Sequence, residues 1–314
     1  CLRSWAHAAN PISRCRGCTP LVREARPTRA GQNCVSPDTT TPAQAAPALR
    51  PARLSPHPRS GAPASQTYGD IYFAPGQGEA ESRYVFVEGN GLPERMARAA
   101  GGMCIAETGF GTGLNTLIVA ACWQEQAPAG AVLDYISIEQ HPIAREDLAA
   151  LHASMAPTLS PSIRALIPAL SDAYPLPVPG IHRRALIKGR VRLHLLYGEA
   201  AEALAWIGAG SVDAWLLDGF APRCNPAMWR EAVCAQLGRC SRAEATLATF
   251  TAAGAVRRRL QAAGFTVKKR RGFAGKRECI TACYSADVPT PAHPNGPRPG
   301  AAEAPVCADV LVIG

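Results

Sequence analysis

From Met103 onward, short apolar runs alternate with stretches whose apolar residues recur at helical spacing, and most of the runs end on a glycine or an acid. That alternation predicts a parallel sheet with crossover helices. Met103 to Ala106 reads as the first strand of the series, followed by a glycine turn and a helix over Leu114 to Gln124. Val132 to Ile138 reads as a strand ending on Glu139, and His141 to His152 as a helix. A long Pro-containing excursion from Pro157 to Gly180 exceeds an ordinary crossover, which predicts helices or a lid beside a ligand cleft. Val191 to Leu196 alternates as a strand closing on Gly198 and Glu199, then Glu202 to Ile207 is helical. Ser211 to Leu217 is a strand that is apolar apart from Asp213 and ends at Asp218. A helix over Met228 to Leu237, a strand over Thr246 to Phe250 and a helix over Ala252 to Ala262 follow. Phe265 to Lys269 and Cys279 to Cys283 then predict an antiparallel hairpin across the Arg271 to Arg277 turn.

Two earlier runs are less regular. Tyr68 to Phe73 is a short aromatic strand or turn, and Tyr84 to Val87 is a second apolar run before the turn-like Glu88-Gly89-Asn90-Gly91, with a helix from about Glu94.

The turn after the first strand of the series is the most distinctive stretch. Gly109, Gly111 and Gly113 alternate, so the backbone bends tightly and approaches a ligand closely, at the start of a helix. Glycines alone do not choose a cofactor. Glu139 lies 30 residues after Gly109, at the tip of the next strand, where a doubly wound sheet places an acid against ribose hydroxyls. Gly109, Glu139, Glu199 and Asp218 thus stand at four strand ends that point into one crevice. Asp218-Gly219-Phe220-Ala221-Pro222 puts a carboxylate with a ring beside it on the crevice floor, or caps the following turn. Asn225, Met228 and Trp229 either line the same opening or cap and pack the next helix.

Composition and charge narrow the picture. With 314 residues and 47% hydrophobic content, the chain has material for a substantial core. It has no run long and apolar enough for a membrane span and no ordered signal-peptide series, so a soluble, cytoplasmic protein is expected. Residues 1–66, rich in Pro, Ala and Arg without periodicity, read as a disordered extension; they hold nine arginines against Glu24 and Asp38, most of the chain's net charge of +9. Residues 257–277 carry Arg257, Arg258, Arg259, Lys268, Lys269, Arg270, Arg271, Lys276 and Arg277 with no acid among them, which suits a polyanion or a solvated basic face. Cys104, Cys122, Cys234, Cys279 and Cys283 sit inside apolar patterns and read as reduced, buried thiols. Cys15 and Cys18 form a CxxC in aperiodic sequence, so no metal site is expected. The chain begins without Met and stops directly after an apolar run, as a fragment does.

Residues 69 to about 284 resemble the N-terminal methyltransferase half of the bifunctional tRNA 5-methylaminomethyl-2-thiouridine biosynthesis proteins. The resemblance rests on AETGFGTGLN at 106–115, YISIEQ at 135–140, YPLPVPGIHR at 174–183, LLDGFAPRCNPAMW at 216–229, ATFTAAGAVRRRLQAAGFTV at 248–267 and GFAGKREC at 272–279. It implies an α/β fold of the class I methyltransferase, Rossmann-like kind: a mostly parallel sheet with a final antiparallel hairpin. It also implies that residues 67–284 form an S-adenosylmethionine-dependent methyltransferase domain and 285–305 a linker. Residues 306–314 look like the truncated first strand of an FAD-binding domain, so FAD and oxidoreductase activity are expected only of a longer form carrying that domain in cis.

The implied reaction is methylation of the exocyclic aminomethyl group on the modified wobble uridine, position 34, of tRNA. The cofactor residues would be Glu107, Thr108, Gly109, Gly111, Gly113, Asn115, Glu139, Gly198 and Glu199, with no metal. Glu199 stands where the family usually has Asp. Asp218 would orient the amine and take its proton, Phe220 and Pro222 would shape the amine pocket, and Arg257, Lys268, Lys269, Arg270, Arg271, Lys276 and Arg277 would meet tRNA phosphates. His182 lies in a family-like stretch without an assigned role. Two rival readings remain: a methyltransferase of another amine, which needs no basic face, and a non-catalytic RNA- or nucleotide-binding module. A nicotinamide oxidoreductase fits the helix start at Leu114 to Thr116 poorly.

Overall fold

The computed structural model describes residues 49–285. Its centre is an eight-stranded sheet in the order β5-β6-β4-β3-β7-β8-β10-β9. The strands are β3 (Met103–Thr108), β4 (Leu133–Glu139), β5 (Gly180–Ile187), β6 (Val191–Tyr197), β7 (Val212–Leu217), β8 (Ser241–Thr249), β9 (Phe265–Arg271) and β10 (Glu278–Tyr284). A separate two-stranded ladder joins β1 (Leu54–Pro56) to β2 (Pro63–Ser65). The helices are α1 (Gly78–Ser82), α2 (Leu92–Ala97), α3 (Leu114–Gln126), α4 (Arg145–Met155), α5 (Pro161–Arg164), α6 (Ile167–Ala173), α7 (Ala200–Ala205), α8 (Glu231–Cys240) and α9 (Gly254–Ala262).

The apolar runs at the centre are continuous because both faces of the sheet are covered. Successive residues feed opposite layers: β3 sends Ile105 to one core and Ala106 to the other, and β7 sends Leu216 to the first and Trp215 and Leu217 to the second. The first layer takes α2, α3 and α4; the second takes α7, α8 and α9. Helix α3 is buried on every side from Leu114 to Trp123, which explains why it carries no polar stripe. Asp213, the acid inside the β7 run, is satisfied at the sheet's far end, where it accepts the Cys104 N–H at 2.8 Å and pairs with Arg242 at 2.9 Å.

Strands β3, β4, β6, β7 and β8 run parallel, and β9 and β10 form the expected antiparallel hairpin. Three readings of the sequence are corrected. The expected unstructured extension ends before residue 66: β1 and β2 pair, with Ala52, Ala62 and Ala64 buried and the Ala52 N–H bonded to Pro142 O at 3.0 Å. Small side chains pack there without the large apolar residues that make a run visible.

The Tyr84 to Val87 run lies in a π-helical segment, Arg83–Glu88, whose Val85, Phe86 and Val87 are all buried. The third correction is β5, an antiparallel edge strand that follows the excursion and was absent from the expected series. Its His182, Arg183 and Arg184 are the polar residues an edge strand tolerates, and they hide the strand from a hydrophobic pattern. The excursion itself carries α5 and α6. Of the five cysteines read as buried, Cys104 is partly exposed and Cys283, near the end of β10, is exposed.

Cys15, Cys18, the linker beyond Ser285 and residues 306–314 lie outside the described residues. Among the described residues, no helix is long and apolar enough to cross a membrane.

Candidate active site

Strand β3 starts the series, and the parallel strands that follow are added on one side of it as β4 and β6 and then on the other as β7 and β8, so the loops at the carboxyl ends of β3, β4 and β7 diverge and leave a crevice. A cavity of about 330 Å³ occupies it, lined by Gly109, Phe110, Gly111 and Asn115 from the glycine turn, Glu139 to His141 after β4, and Asp218 to Phe220 after β7. Tyr68, Asp70 to Ala74, Glu81, Phe250, Phe273 and Lys276 close the remaining sides.

The glycine turn is fixed by contacts no other residue permits. Gly109 has φ +91°, and a Cβ there would lie 2.1 Å from the Asp218 carbonyl oxygen. The turn after β3 therefore packs directly on the turn after β7. Gly113, at φ +74°, is the residue preceding α3, and a Cβ there would meet the Phe110 ring at 2.7 Å and Leu170 at 2.8 Å. Gly111 presents its N–H to Glu139 Oε2 at 3.0 Å. The other oxygen of Glu139 accepts the His141 N–H at 2.7 Å, so each oxygen is held by one backbone donor and keeps lone-pair capacity toward the cavity. Burial raises the pKa of Glu139 against those two hydrogen bonds.

Beneath the cavity floor, one amide joins two carboxyls. Asn115 Nδ2 donates to Glu107 Oε1 at 2.8 Å and to Asp218 Oδ2 at 2.6 Å, while Ser137 Oγ donates to Glu107 Oε2 at 2.8 Å. Glu107 is fully buried and Asp218 is open to the cavity. Burial, then the charge of Asp218, pushes Glu107 up to about 8; burial pushes Asp218 up to about 7 despite the Asn115 hydrogen bond. Near neutral pH the pair therefore holds a proton on Glu107 and presents Asp218 as its one titrating carboxylate. A carboxylate poised near pH 7 on a cavity floor is suited to take a proton from a bound amine.

The other sequence-derived residues separate. Thr108 is buried below the turn and, like Glu107, lies outside the cavity lining. Gly113 also lies behind the lining. Glu199 caps α7, accepting the Ala201 N–H at 2.9 Å, and pairs with Arg230 at 2.6 Å. Neither it nor Gly198 lines the cavity, although its charge reaches Tyr68, which does. Phe220 faces the cavity in contact with Tyr68 (4.9 Å between ring centroids) and Tyr72 (5.2 Å), whereas Pro222 does not line it. Asn225 and Met228 line it too, while Trp229 is buried and donates its indole N–H to Phe220 O at 2.9 Å. His182 bonds Val178 O at 2.7 Å, outside the cavity lining.

The cations do not form one patch. Arg257 lies on α9, in the second layer. Arg270 pairs with Glu88 at 2.9 Å and stacks over the Tyr84 ring at 3.9 Å, on the first-layer side of β9. Lys269 pairs with Glu278 at 2.7 Å. Lys268, Arg271 and Arg277 are exposed, and Lys276 turns inward to line the cavity, bonded to Glu81.

Sequence reasoning passed over Asp70, Glu81, Tyr72 and Phe273. The Tyr68 to Phe73 aromatic run was the available signal: Asp70 ties it to the site by accepting the Ala221 N–H at 2.9 Å. Glu81 gave none, being one acid among several on a short helix.

Comparison with known proteins agrees with this geometry. Residues 161–285 match a family of S-adenosyl-L-methionine-dependent methyltransferases. The bifunctional tRNA 5-methylaminomethyl-2-thiouridine biosynthesis protein MnmC of Aromatoleum aromaticum is 45% identical over 266 residues, covering 85% of this chain and 39% of that protein. Its counterpart in Chromohalobacter salexigens is 48% identical over 223 residues, covering 70% of this chain and 31% of that protein. This chain therefore spans less than half the length of these relatives. The crystal structure of MNMC2 from Aquifex aeolicus superposes with a TM-score of 0.56 at 21% identity, covering 79% of this chain and 74% of that one, a likeness of fold. The chain has a class I methyltransferase fold and carries an S-adenosyl-L-methionine-dependent methyltransferase domain homologous to the bifunctional MnmC proteins.

Proposed function

We propose that this chain transfers a methyl group from S-adenosylmethionine to the aminomethyl nitrogen of a modified wobble uridine, position 34, in tRNA. The observation that carries the reading is the Glu107–Asn115–Asp218 chain, which delivers one titrating carboxylate to the cavity floor directly against the glycine turn. The residues present fit the cofactor: a side chain at Gly109 would strike the Asp218 carbonyl and one at Gly111 would crowd the Tyr72 ring, and Glu139 retains acceptor capacity for two vicinal hydroxyls. Glu139, Gly109 and Gly111 would hold it; Gly113 shapes the turn, and Glu107, Thr108 and Asn115 support it from below. Gly198 and Glu199 act at one remove, by fixing α7.

When bound, S-adenosylmethionine supplies an electrophilic methyl carbon on a sulfonium centre. Asp218 receives the substrate as an ammonium and takes one proton on the oxygen that Asn115 leaves free. Loss of that proton leaves the amine nitrogen with a lone pair that would be available to the methyl carbon the cofactor supplies. Asn115 fixes the carboxylate's orientation, and Glu107 fixes Asn115. Phe220, Tyr68 and Tyr72 wall the opening with aromatic faces on which an unstacked base can rest. The exposed Lys268, Arg271 and Arg277 supply phosphate contacts. A longer form carrying an FAD-dependent oxidoreductase domain in cis would add that domain's activity to methyl transfer.

The test is transfer from labelled S-adenosylmethionine to tRNA bearing the aminomethyl wobble base, against unmodified tRNA and against Asp218→Ala. Modification-dependent transfer that Asp218→Ala abolishes supports the reading. Transfer that ignores the modification, or survives the substitution undiminished, overturns it and favours another amine substrate.

A further inference from the structure

One ion pair inside the cavity is unexplained by cofactor binding or by proton transfer. Glu81, on α1, and Lys276, in the turn after β9, lie 195 residues apart in sequence and meet at the cavity wall, Nζ against Oε1. The Lys276 ammonium also lies 5.8 Å from the Phe250 ring centroid, within reach of its π face. The corner is thus shaped for an alkylammonium: a carboxylate to accept its N–H groups, an aromatic face beside it, and Asp218 near enough that Glu81 and Lys276 both act on its charge. The two partners are held differently. The Glu81 side chain is 20% exposed and anchored on a helix, whereas Lys276 is 55% exposed on a flexible stem in a turn. The lysine is the partner that is free to leave.

We infer that Glu81 is the residue that recognises the substrate's ammonium, and that Lys276 occupies the ammonium position in the free protein as an internal stand-in. This rests on the proposed reaction and names the residue that makes it selective for an aminomethyl base. On binding, the substrate's primary ammonium takes over the hydrogen bond at Glu81 Oε1, with its proton to be surrendered later to Asp218, and Lys276 swings outward toward solvent and the backbone phosphates. No charge is left unpaired at any stage: the acid exchanges one alkylammonium for another. An unmodified uridine, with no cation, has nothing to exchange and leaves the internal pair closed.

The test compares the affinities of full tRNAs, or anticodon stem-loops, with and without the aminomethyl group, for the wild type, Glu81→Gln and Lys276→Met. The readout is the ratio of the two affinities, because any lost phosphate contact or partial unfolding weakens both RNAs alike. Loss of one charge-assisted hydrogen bond lowers the ratio about 10- to 100-fold in Glu81→Gln. Removal of the rival raises the ratio in Lys276→Met. An unchanged ratio in Glu81→Gln, or a lowered one in Lys276→Met, overturns the inference. Equilibrium binding is read without methyl transfer, so a wild type that discriminates the aminomethyl RNA through Glu81 but transfers no methyl would retain this recognition and refute the proposed reaction alone.

Discussion

Substituting Glu107 by Gln tests the protonated carboxyl beneath the floor. Gln keeps an acceptor for Asn115 and a polar group for Ser137, so the hydrogen-bond cost of the change is independent of pH. The ionisation is what disappears. In the folded protein Glu107 titrates at about 8, against an ordinary value of 4.5. Its folded-state pKa is raised, so its contribution to stability is fully present below about pH 4.5 and is lost as pH rises toward 8: the unfolded chain has released the proton and the folded one still holds it. A fully buried group needs no discount for solvent screening, and the slope is ~1.4 kcal/mol per pH unit. Between pH 5 and 7 the stability of Glu107→Gln relative to wild type should therefore rise by roughly 3 kcal/mol. Up to pH 7 Glu107 stays largely protonated in the folded wild type, so Asp218 faces a neutral group in both proteins and its titration nearly cancels, as do those of uncoupled groups. Urea unfolding of the two proteins at pH 5, 6 and 7 reads the difference directly. A stability difference that stays flat across these three points means that Glu107 is already ionised in the folded state, and the single-carboxylate account of the floor fails with it.

Three further outcomes follow from the same geometry. Asp218→Asn should lower kcat by about 10²- to 10⁴-fold and remove the acid limb near pH 7 from the rate profile, with cofactor affinity measured by calorimetry little changed. Gly109→Ala should lose more than about 2 kcal/mol of stability and most cofactor affinity, since the new methyl sits 2.1 Å from the Asp218 carbonyl at φ +91°; a fold and affinity like the wild type's would show that the two turns are not in contact. Lys268→Glu with Arg271→Glu should weaken tRNA binding and flatten its dependence on salt, leaving cofactor affinity intact; binding that keeps its salt slope would remove β9 from the RNA face.

The central sheet was legible because β3, β4, β6 and β7 are buried on both faces and each stops at a Gly or an acid, so their apolar runs have sharp ends. Gly109, Glu139 and Asp218 could be placed at one crevice on that basis. Legibility ended where tertiary packing replaced periodicity. Strand β5 is polar because it is an edge, and the consecutive apolar residues of Arg83–Glu88 look extended but form a buried π-helical segment. Glu199 shows a different limit. An acid at a strand end can serve a ligand or the next helix, and here its carboxylate is spent on the α7 N-terminus and Arg230, an arrangement that depends on where residue 230 arrives. Glu107 is the converse: the resemblance places it at the cofactor, and only the positions of Asn115 and Ser137 reveal that it supports Asp218 from below.

Charge gives the site its direction. Asp218, Glu81, Glu139 and Asp70 line the cavity against one inward-facing lysine, while exposed Lys268 and Arg271 on β9 and Arg277 in the following turn stand outside it. A bare polyanion is drawn to the outer cations and repelled by the acidic interior; a small cation is drawn to the interior and repelled outside. A ligand that satisfies both regions is a polyanion bearing a cationic group at the point that enters the cavity. The closed Glu81–Lys276 pair adds to this, because it occupies the Glu81 carboxylate whenever no such group is present, while Asp218, Glu139 and Asp70 keep the interior acidic. Cofactor binding alone requires neither the acidic corner nor the external cations, so their pairing is what favours the proposed aminomethyl base on RNA over a free small amine as the substrate.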